Sequence, residues 1–329
     1  MKRTEQPASS PAMQTMTSRA ATTLNSAFRG GILISTNNAV VTRLVHRHGM
    51  RLGASRFVAG ETLDECLPVF KRLNAQGLRI NTSILGEDVQ DEATATAVTD
   101  AYVDVLDRLV TEGVDGNVAV KLTHLGLNLG EAVAYQNVAR LAVHARDRST
   151  FLRIDMEESA RVDATLRIYS QLRGAGHDNV GTVLQSSLYR TDDDLTELFP
   201  LRPNLRLVKG AYLEHDTVAY PKKADVDANY QRLAERMLRG GGFTAIATHD
   251  ERLIAHVIAI ARRDGVPRDR FEFQMLYGIR PQLQLDLVAQ GYRVLVATPY
   301  GPDWYPYLMR RLAERPANLL FFARSILRR

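Results

Sequence analysis

The chain of 329 residues has a single cysteine, Cys66. That excludes an internal disulfide and any metal site built from several thiolates, and it fits a reducing compartment. No apolar run reaches the roughly 20 residues needed to span a membrane as a helix. No charged start leads into a 7–15-residue apolar stretch, so no secretory leader is expected. The net charge is +5 and the sequence pI about 9.3, but the cations are spread among acids without a Lys/Arg block. Nucleic-acid binding is therefore not expected, and attraction to an anionic membrane surface stays weak. What remains is 45% hydrophobic and 24% charged, an ordinary globular composition. The length would allow two domains, yet α/β barrels of this size fold as one.

Residues 1–20 are rich in Ser, Thr, Ala and Pro and predict a disordered tail. Residues 21–77 read as an N-terminal helical segment. Within it, 40–52 has helical apolar spacing, and His46 and His48, two apart, fall on different faces. Residues 61–76 form a better helix: Thr62 caps it, Glu65 completes a capping box and Gly77 ends it. From residue 78 a rhythm sets in. Short apolar runs suited to buried parallel strands recur at 78–85, 117–122, 151–155, 181–185, 205–208, 243–247, 271–274 and 292–298. Between them lie helical segments near 88–112, 131–146, 157–175, 191–198, 225–240, 250–264 and 281–290. Eight β-α units predict a closed (β/α)8 TIM-like barrel over 78–329. A doubly wound open sheet is the alternative, but no Gly-x-Gly-x-x-Gly follows the first run.

Barrels of this kind place their active sites where the strands end at their C-termini. Here those ends bring Lys121, Asp155, Gln185, Lys209-Gly210-Ala211-Tyr212, Thr248-His249-Asp250 and Gln274. Singly, each has a bland reading: Asp155 and Thr248 could cap helices, and Lys121 could be salt-bridged. Jointly, polar groups at the same end of six strands are hard to reconcile with core packing. After the eighth run, 303–316 reads as a short helix. Its Tyr307, Arg310 and Arg311 share one face at i, i+3 and i+4. The paired guanidinium groups match a carboxylate or phosphate. Lys121, Arg310 and Arg311 imply an anionic ligand, with Asp155 and Glu87 as counter-charges. Gly210-Ala211 leaves room for close approach of a ring or phosphate. Residues 317–329 read as a docked helix, or as an amphipathic end in contact with a membrane. Two reaction classes fit: a Schiff-base lyase with Lys121 or Lys209 as nucleophile, and a redox enzyme whose bound cofactor does the chemistry.

Six ordered blocks carry a family resemblance: Val120-Lys121-Leu122, Arg153-Ile154-Asp155-Met156-Glu157, Arg206-Leu207-Val208-Lys209-Gly210-Ala211-Tyr212, Ala247-Thr248-His249-Asp250-Glu251-Arg252, Phe271-Glu272-Phe273-Gln274-Met275-Leu276-Tyr277-Gly278 and Tyr307-Leu308-Met309-Arg310-Arg311-Leu312-Ala313-Glu314. Together they resemble the proline dehydrogenases, in particular the small monofunctional bacterial type. The resemblance covers roughly residues 55–325. It implies a distorted barrel that binds FAD non-covalently at the strand ends, with the last helix lying over the flavin. It implies that Arg310 and Arg311 clamp the substrate carboxylate, that Lys121 supports it, and that Tyr212 backs Arg311. Glu87 would pair with Arg310 as a gate, and Leu276 would pack on the substrate ring. Asp155 and Arg206 would be catalytic, with Arg206 against the flavin's reactive edge. Met156, Gln185, Val208, Lys209, Gly210, Ala211, Thr248 and His249 would line the FAD. No metal is implied. The implied reaction converts L-proline to 1-pyrroline-5-carboxylate and passes electrons to a quinone. The implied location is the cytoplasm, with peripheral contact on the inner face of the cell membrane as a variant.

Two positions depart from the family pattern. In Val296-Ala297-Thr298-Pro299-Tyr300-Gly301, Ala297 stands where a tyrosine normally closes the substrate pocket. Ser83 stands where an aspartate is expected. The opening at Ala297 makes a dehydrogenase of hydroxyproline, or of another substituted cyclic imino acid, the alternative expectation.

Overall fold

The structure, a computed structural model, describes residues 54–314, with side chains through Met309. The chain divides into two compact units, and among the described residues one of them is Arg56–Pro302. Its eight strands are β1 (Arg79–Ile84), β2 (Gly116–Val120), β3 (Leu152–Ile154), β4 (Val180–Gln185), β5 (Asn204–Val208), β6 (Phe243–Ala247), β7 (Phe271–Leu276) and β8 (Val294–Tyr300). They pair in parallel and in chain order, and β8 closes on β1. The helices of this unit are α1 (Leu63–Ala75), α2 (Glu92–Thr111), α3 (Glu131–Asp147), α4 (Val162–Gly174), α5 (Thr191–Leu198), α6 (Lys223–Arg239), α7 (Glu251–Arg263) and α8 (Pro281–Ala289). The expected (β/α)8 barrel is thus the observed fold. The other unit contains α9 (Trp304–Glu314), in which the rings of buried Trp304 and Tyr305 meet edge to face at 6.2 Å. Residues 1–53 and 315–329 lie outside the described residues, and with them the expected helix at 40–52, His46, His48 and the apolar C-terminal stretch. No described helix is long and apolar enough to cross a membrane.

Local chemistry explains where α1 starts and stops. Thr62 is its N-cap, and Thr62 Oγ1 accepts the Glu65 N–H at 3.4 Å. The Glu65 carboxylate accepts the N–H of Glu61 at 2.8 Å, one residue earlier than a standard capping box requires. At the other end Gly77 has φ +78°, a left-handed turn that side chains resist. Its N–H bonds to Asn74 O at 2.9 Å and that of Leu78 to Leu73 O at 3.1 Å, so two orphan carbonyls are satisfied. This helix belongs to the barrel unit. Lys71 pairs with Glu112 at the end of α2, Arg108 of α2 pairs with Asp64, and Arg72 reaches Tyr277 OH at 3.3 Å just after β7. It occupies the place that a regular barrel gives to the helix after β8.

Two helices begin later than their polar spacing suggests. The chain at 88–91 is not helical: Asp88 adopts φ +58° and Asp91 caps α2 by accepting the Thr94 N–H at 2.8 Å. Residues 157–158 are not helical, with Glu158 extended, a short 3-10 turn covers Ser159–Arg161, and α4 follows. Both segments lie at the mouth of the barrel, where their side chains make contacts a helix would forbid.

The lower barrel interior is charged. Arg153 on β3 is buried, and its Nη1 donates to the carbonyls of Thr182 and Asn204, each at 2.9 Å. Its Nη2 donates to Asn204 Oδ1 at 2.6 Å, and its guanidinium lies 4.9 Å from the centre of the Phe151 ring. Burial, and then the charge of Arg206, lower its pKa to about 9, while Glu272 and Asp155 oppose the fall. Buried Glu272 accepts the Gln274 amide at 2.7 Å and lies 3.8 Å from Arg79. Arg153→Ala strips three acceptors of their donor and removes one of the positive charges that act on Glu272. Urea denaturation should record a loss of at least about 3 kcal/mol, the lower edge of the range for breaking a buried charged network. A loss below about 1 kcal/mol would mean that water substitutes for the guanidinium.

Candidate active site

The residues just beyond each strand build the mouth of the barrel. Lys121 comes directly after β2 and Asp155 directly after β3, and the Asp155 N–H bonds to Val120 O at 2.8 Å. Two ion pairs divide the charges there. Lys121 pairs with Glu87, which sits in the loop after β1. Arg206, on β5, pairs with Asp155. Glu87 and Asp155 do supply opposite charge, as the sequence suggests, but Asp155 answers Arg206. Asp155 caps no helix, and α4 starts beyond it with Arg161 at its N-cap.

Arg206 is the centre of this arrangement. Its side chain is 11% exposed. Its Nη1 lies 3.5 Å from Asn81 Oδ1 across the barrel and 3.4 Å from Gln274 Oε1. Its Nε is buried without a partner among the described residues. Asn81 in turn donates to Asn117. The strand carrying Gln274 does not end there, because β7 runs on to Leu276. Gln274 therefore faces the interior below the mouth, and Leu276 is the residue at the strand end. Leu276 is in register with Ala297, and Ala297 with Asn81. Since Asn81 faces inward, so do its partner Ala297 and, one strand on, Leu276.

Glu157 ties three strand ends together. Its carboxylate accepts the Thr123 N–H at 3.0 Å and the Thr123 hydroxyl at 2.5 Å, and its carbonyl accepts the Gln185 amide at 2.9 Å. With the Gln185 Nε2 so engaged and its carbonyl accepting Thr191 Oγ1 at 2.5 Å, Oε1 of Gln185 is left as an acceptor. Gly210 follows β5 with φ +117°, and a Cβ there would lie 2.2 Å from Ser187 Oγ and 3.4 Å from Gln185 Oε1. The space at that spot is closed to any side chain. Met156 and Val208 join Val183, Leu188 and Ala219 in a small apolar cluster beside it. Tyr212 is 36% exposed, and the partial desolvation of its hydroxyl, then the charges of Glu157, Glu87, Glu158 and Asp155, push its phenol above the usual value.

Further round, the Lys209 ammonium is drawn to Asp227 of α6 at 2.5 Å and to Asp250 at 3.7 Å. Asp250, not Thr248, caps α7, and Thr248 Oγ1 accepts the Asp250 N–H at 3.1 Å. The Nε2 of His249 accepts the Leu276 N–H at 2.9 Å, which puts the proton of a neutral ring on Nδ1. Arg280 donates to the His249 carbonyl at 3.2 Å. Ala211 is exposed. In the other unit, the spacing of Tyr307, Arg310 and Arg311 falls within α9 as the periodicity implies. The side chains of Arg310 and Arg311 lie outside the described residues, and so do the expected Glu87–Arg310 and Tyr212–Arg311 contacts.

Sequence reasoning missed Glu157, Asn81 and the interior role of Gln274. A signal for Glu157 was present: Asp155 and Glu157 alternate in an extended chain, and reading a helix from 157 concealed it. Arg79, Asn81 and Ser83 likewise alternate along β1, inside a run treated as uniformly apolar.

Burial raises the pKa of Glu157 above its ordinary 4.5, and the Thr123 hydrogen bonds and Lys121 only partly oppose this. The folded state therefore binds its proton more tightly than the unfolded chain. Glu157 favours folding least once the pH has risen through the folded pKa, and the difference develops upward from pH 4.5. Glu157→Gln removes this dependence. Its stability relative to the parent should improve as pH rises through that window, measured by denaturation at a series of pH values. A constant difference would mean that Glu157 has no raised pKa.

The family model described as proline dehydrogenase matches residues 66–324. Proline dehydrogenase of Deinococcus radiodurans is 42% identical over 92% of this chain and 98% of its own length. Proline dehydrogenase 2 of Bacillus subtilis is 39% identical over 89% of this chain and 96% of its own. Among solved structures, proline utilization A from Bdellovibrio bacteriovorus, inactivated by N-propargylglycine, superposes with a TM-score of 0.75 at 25% identity. That match covers 83% of this chain and 34% of the longer Bdellovibrio chain. A closed barrel with paired cations and carboxylates at its mouth, matched over nearly its whole length, places this chain in the proline dehydrogenase family.

Proposed function

We propose that this protein is an FAD-dependent oxidoreductase acting on the CH–NH group of L-proline, or of a ring-substituted relative. The observation that carries this is the pair of ion pairs at the strand ends, Arg206–Asp155 and Lys121–Glu87, in a chain of this family. The residues suit a flavin. Gly210 keeps its stretch of backbone free of a side chain, Gln185 presents an acceptor, and Arg206 Nε is a buried donor without a described partner. Gln185, Lys209, Gly210, Ala211, Thr248 and His249 would hold the cofactor, with Met156 and Val208 as apolar walls. When bound, the flavin supplies the two-electron acceptor.

The chain's own residues would bind and orient the substrate. Lys121, with Arg310 and Arg311, would hold its carboxylate and so fix the ring against Leu276. Concentrated positive charge also disfavours a protonated ring nitrogen, and only the neutral amine has the lone pair that oxidation needs. Asp155 would keep Arg206 in place, and Arg206 would offer its guanidinium to the edge of the cofactor. The product would be the cyclic imine, with a quinone as final acceptor and peripheral membrane contact as the way to reach it. Lys121 and Lys209 each donate to carboxylates, a setting for structural cations rather than Schiff-base nucleophiles. Family membership therefore displaces the lyase reading.

A second substrate is favoured by Ala297. It faces the interior between Asn81 and Leu276, where a large side chain would close the ring pocket. Its small size leaves room for a 4-substituent. Ala297→Tyr should raise kcat/KM for L-proline and lower it for trans-4-hydroxy-L-proline, each by about tenfold, the scale of about 1–3 kcal/mol for a pocket contact. Unchanged selectivity in steady-state assays would place Ala297 outside the substrate pocket. The function as a whole is tested by the visible spectrum of the protein with FAD, before and after anaerobic addition of each substrate. A flavin absorbance that bleaches with either substrate is expected, and a folded protein that takes up no FAD would sink the proposal.

A further inference from the structure

Residues 209–222, which join β5 to α6, are unevenly held. Near β5, Lys209 O accepts the Ser187 N–H at 2.8 Å. Near α6, the Tyr220 N–H bonds to Ser187 O at 2.8 Å, and Ala219 bridges Leu188 in antiparallel fashion. The Tyr189 N–H bonds to Val218 O at 3.1 Å, its hydroxyl to Asp216 O at 3.1 Å, and its ring meets Tyr220 edge to face at 4.5 Å. Both feet are therefore fixed on the loop after β4. The span between them is bare. The N–H groups of residues 211–214 make no backbone hydrogen bond among the described residues, and Leu213 is 88% exposed.

One side chain crosses from this span to the rest of the barrel. Glu214 Oε1 accepts the Ser159 N–H at 2.7 Å, and its Oε2 accepts the Ser159 hydroxyl at 2.5 Å. Ser159 opens the 3-10 turn that follows Asp155, Met156, Glu157 and Glu158. The strap thus leaves β5, passes β4 and is fastened to the segment after β3, and Tyr212 lies two residues before the fastening. The charges of Glu87, Asp155, Glu157 and Glu158 all act on Tyr212, and the nearest fastening along its own chain is Glu214. A carboxylate that accepts two hydrogen bonds in this way is a strong tether, and also one that can be released without breaking any secondary structure.

We propose that Glu214 is a positioning residue: its paired hydrogen bonds to Ser159 latch the strap and hold Tyr212 at the wall of the substrate site, and release of the latch opens that side of the mouth. The latch thereby acts on substrate retention rather than on the electron-transfer step. This rests on the reading of Tyr212 as a site residue, and the test separates the two. Four variants of the FAD-loaded protein are compared: Glu214→Ala, Glu214→Gln, Ser159→Ala, and Glu214→Ala in a Tyr212→Ala background. Amide hydrogen exchange at Ser159 reads the latch directly. Steady-state kinetics read its consequence.

Glu214→Ala should speed exchange at Ser159 and raise KM by about tenfold with kcat within about twofold, the pattern of lost binding common to ground and transition states. Glu214→Gln should restore most of KM, since its amide can still accept from the Ser159 N–H and donate to the hydroxyl. Ser159→Ala, which keeps the backbone bond, should give a smaller rise and serves should Glu214→Ala fail to fold. In the Tyr212→Ala background, Glu214→Ala should add little. Unchanged exchange at Ser159 would overturn the latch. Faster exchange with unaltered KM, a matching fall in kcat, or an undiminished effect without Tyr212 would overturn its role. A parent that takes up no FAD and oxidises neither substrate would sink the functional reading, while exchange at Ser159 would still judge the latch.

Discussion

A guanidinium inside a barrel must be answered by a carboxylate, and much of this structure depends on that demand. Arg206 stands in the interior at the level where the strands give way to loops, and Asp155 answers it. Water cannot replace the partner at low cost in a narrow, closed interior. The pair therefore sets the relative position of the ends of β3 and β5. Below it, Arg153 is held by Asn204 and Thr182, and Glu272 balances its charge. Desolvation, and then the charge of Arg206 on a nearby strand, lower the pKa of buried Arg153. Asp155 and Glu272 make the arrangement tolerable.

The upper interior is organised by carboxylates used as hydrogen-bond acceptors. Glu157 joins the ends of β2, β3 and β4 through Thr123 and Gln185, and Glu214 joins the strap after β5 to the same β3 segment. Segments with no regular structure are thereby tied to the strand ends beside them. Such ties would suit the proposed site, in which a ring is kept in one orientation. Side-chain pairing also fixes α1, which completes the helical ring from the N-terminal side of the barrel.

Much of this was legible in advance. The eight strands fall at the expected places because buried parallel strands need short continuous apolar runs. The helices at 191–198, 251–263 and 281–289 follow their amphipathic spacing closely. Polar residues at Lys121, Asp155, Gln185 and Thr248 marked the C-terminal ends of their strands, since a core would not accept them unpaired. What misled was local continuity. A helix from 157 and one from 88 are reasonable from spacing alone, yet Glu157 stays outside the helix with its carboxylate on Thr123, and Asp88 is left-handed and accepts from Asn128. The run 78–85 looked uniformly apolar, but every second residue turns into a polar interior.

The sequence by itself determined the barrel and the family, because periodicity and motif order are properties of the chain. It also placed charged and polar residues together at one end of the strands. Only the tertiary structure decided which charge answers which. Lys121 could pair with Asp155 or Glu87, and Asp155 could cap a helix, hold Lys121 or hold Arg206. Those choices depend on distances between strands that are remote in the chain. In a closed interior, where each charge must find a partner within a few ångströms, those distances settle the pairing.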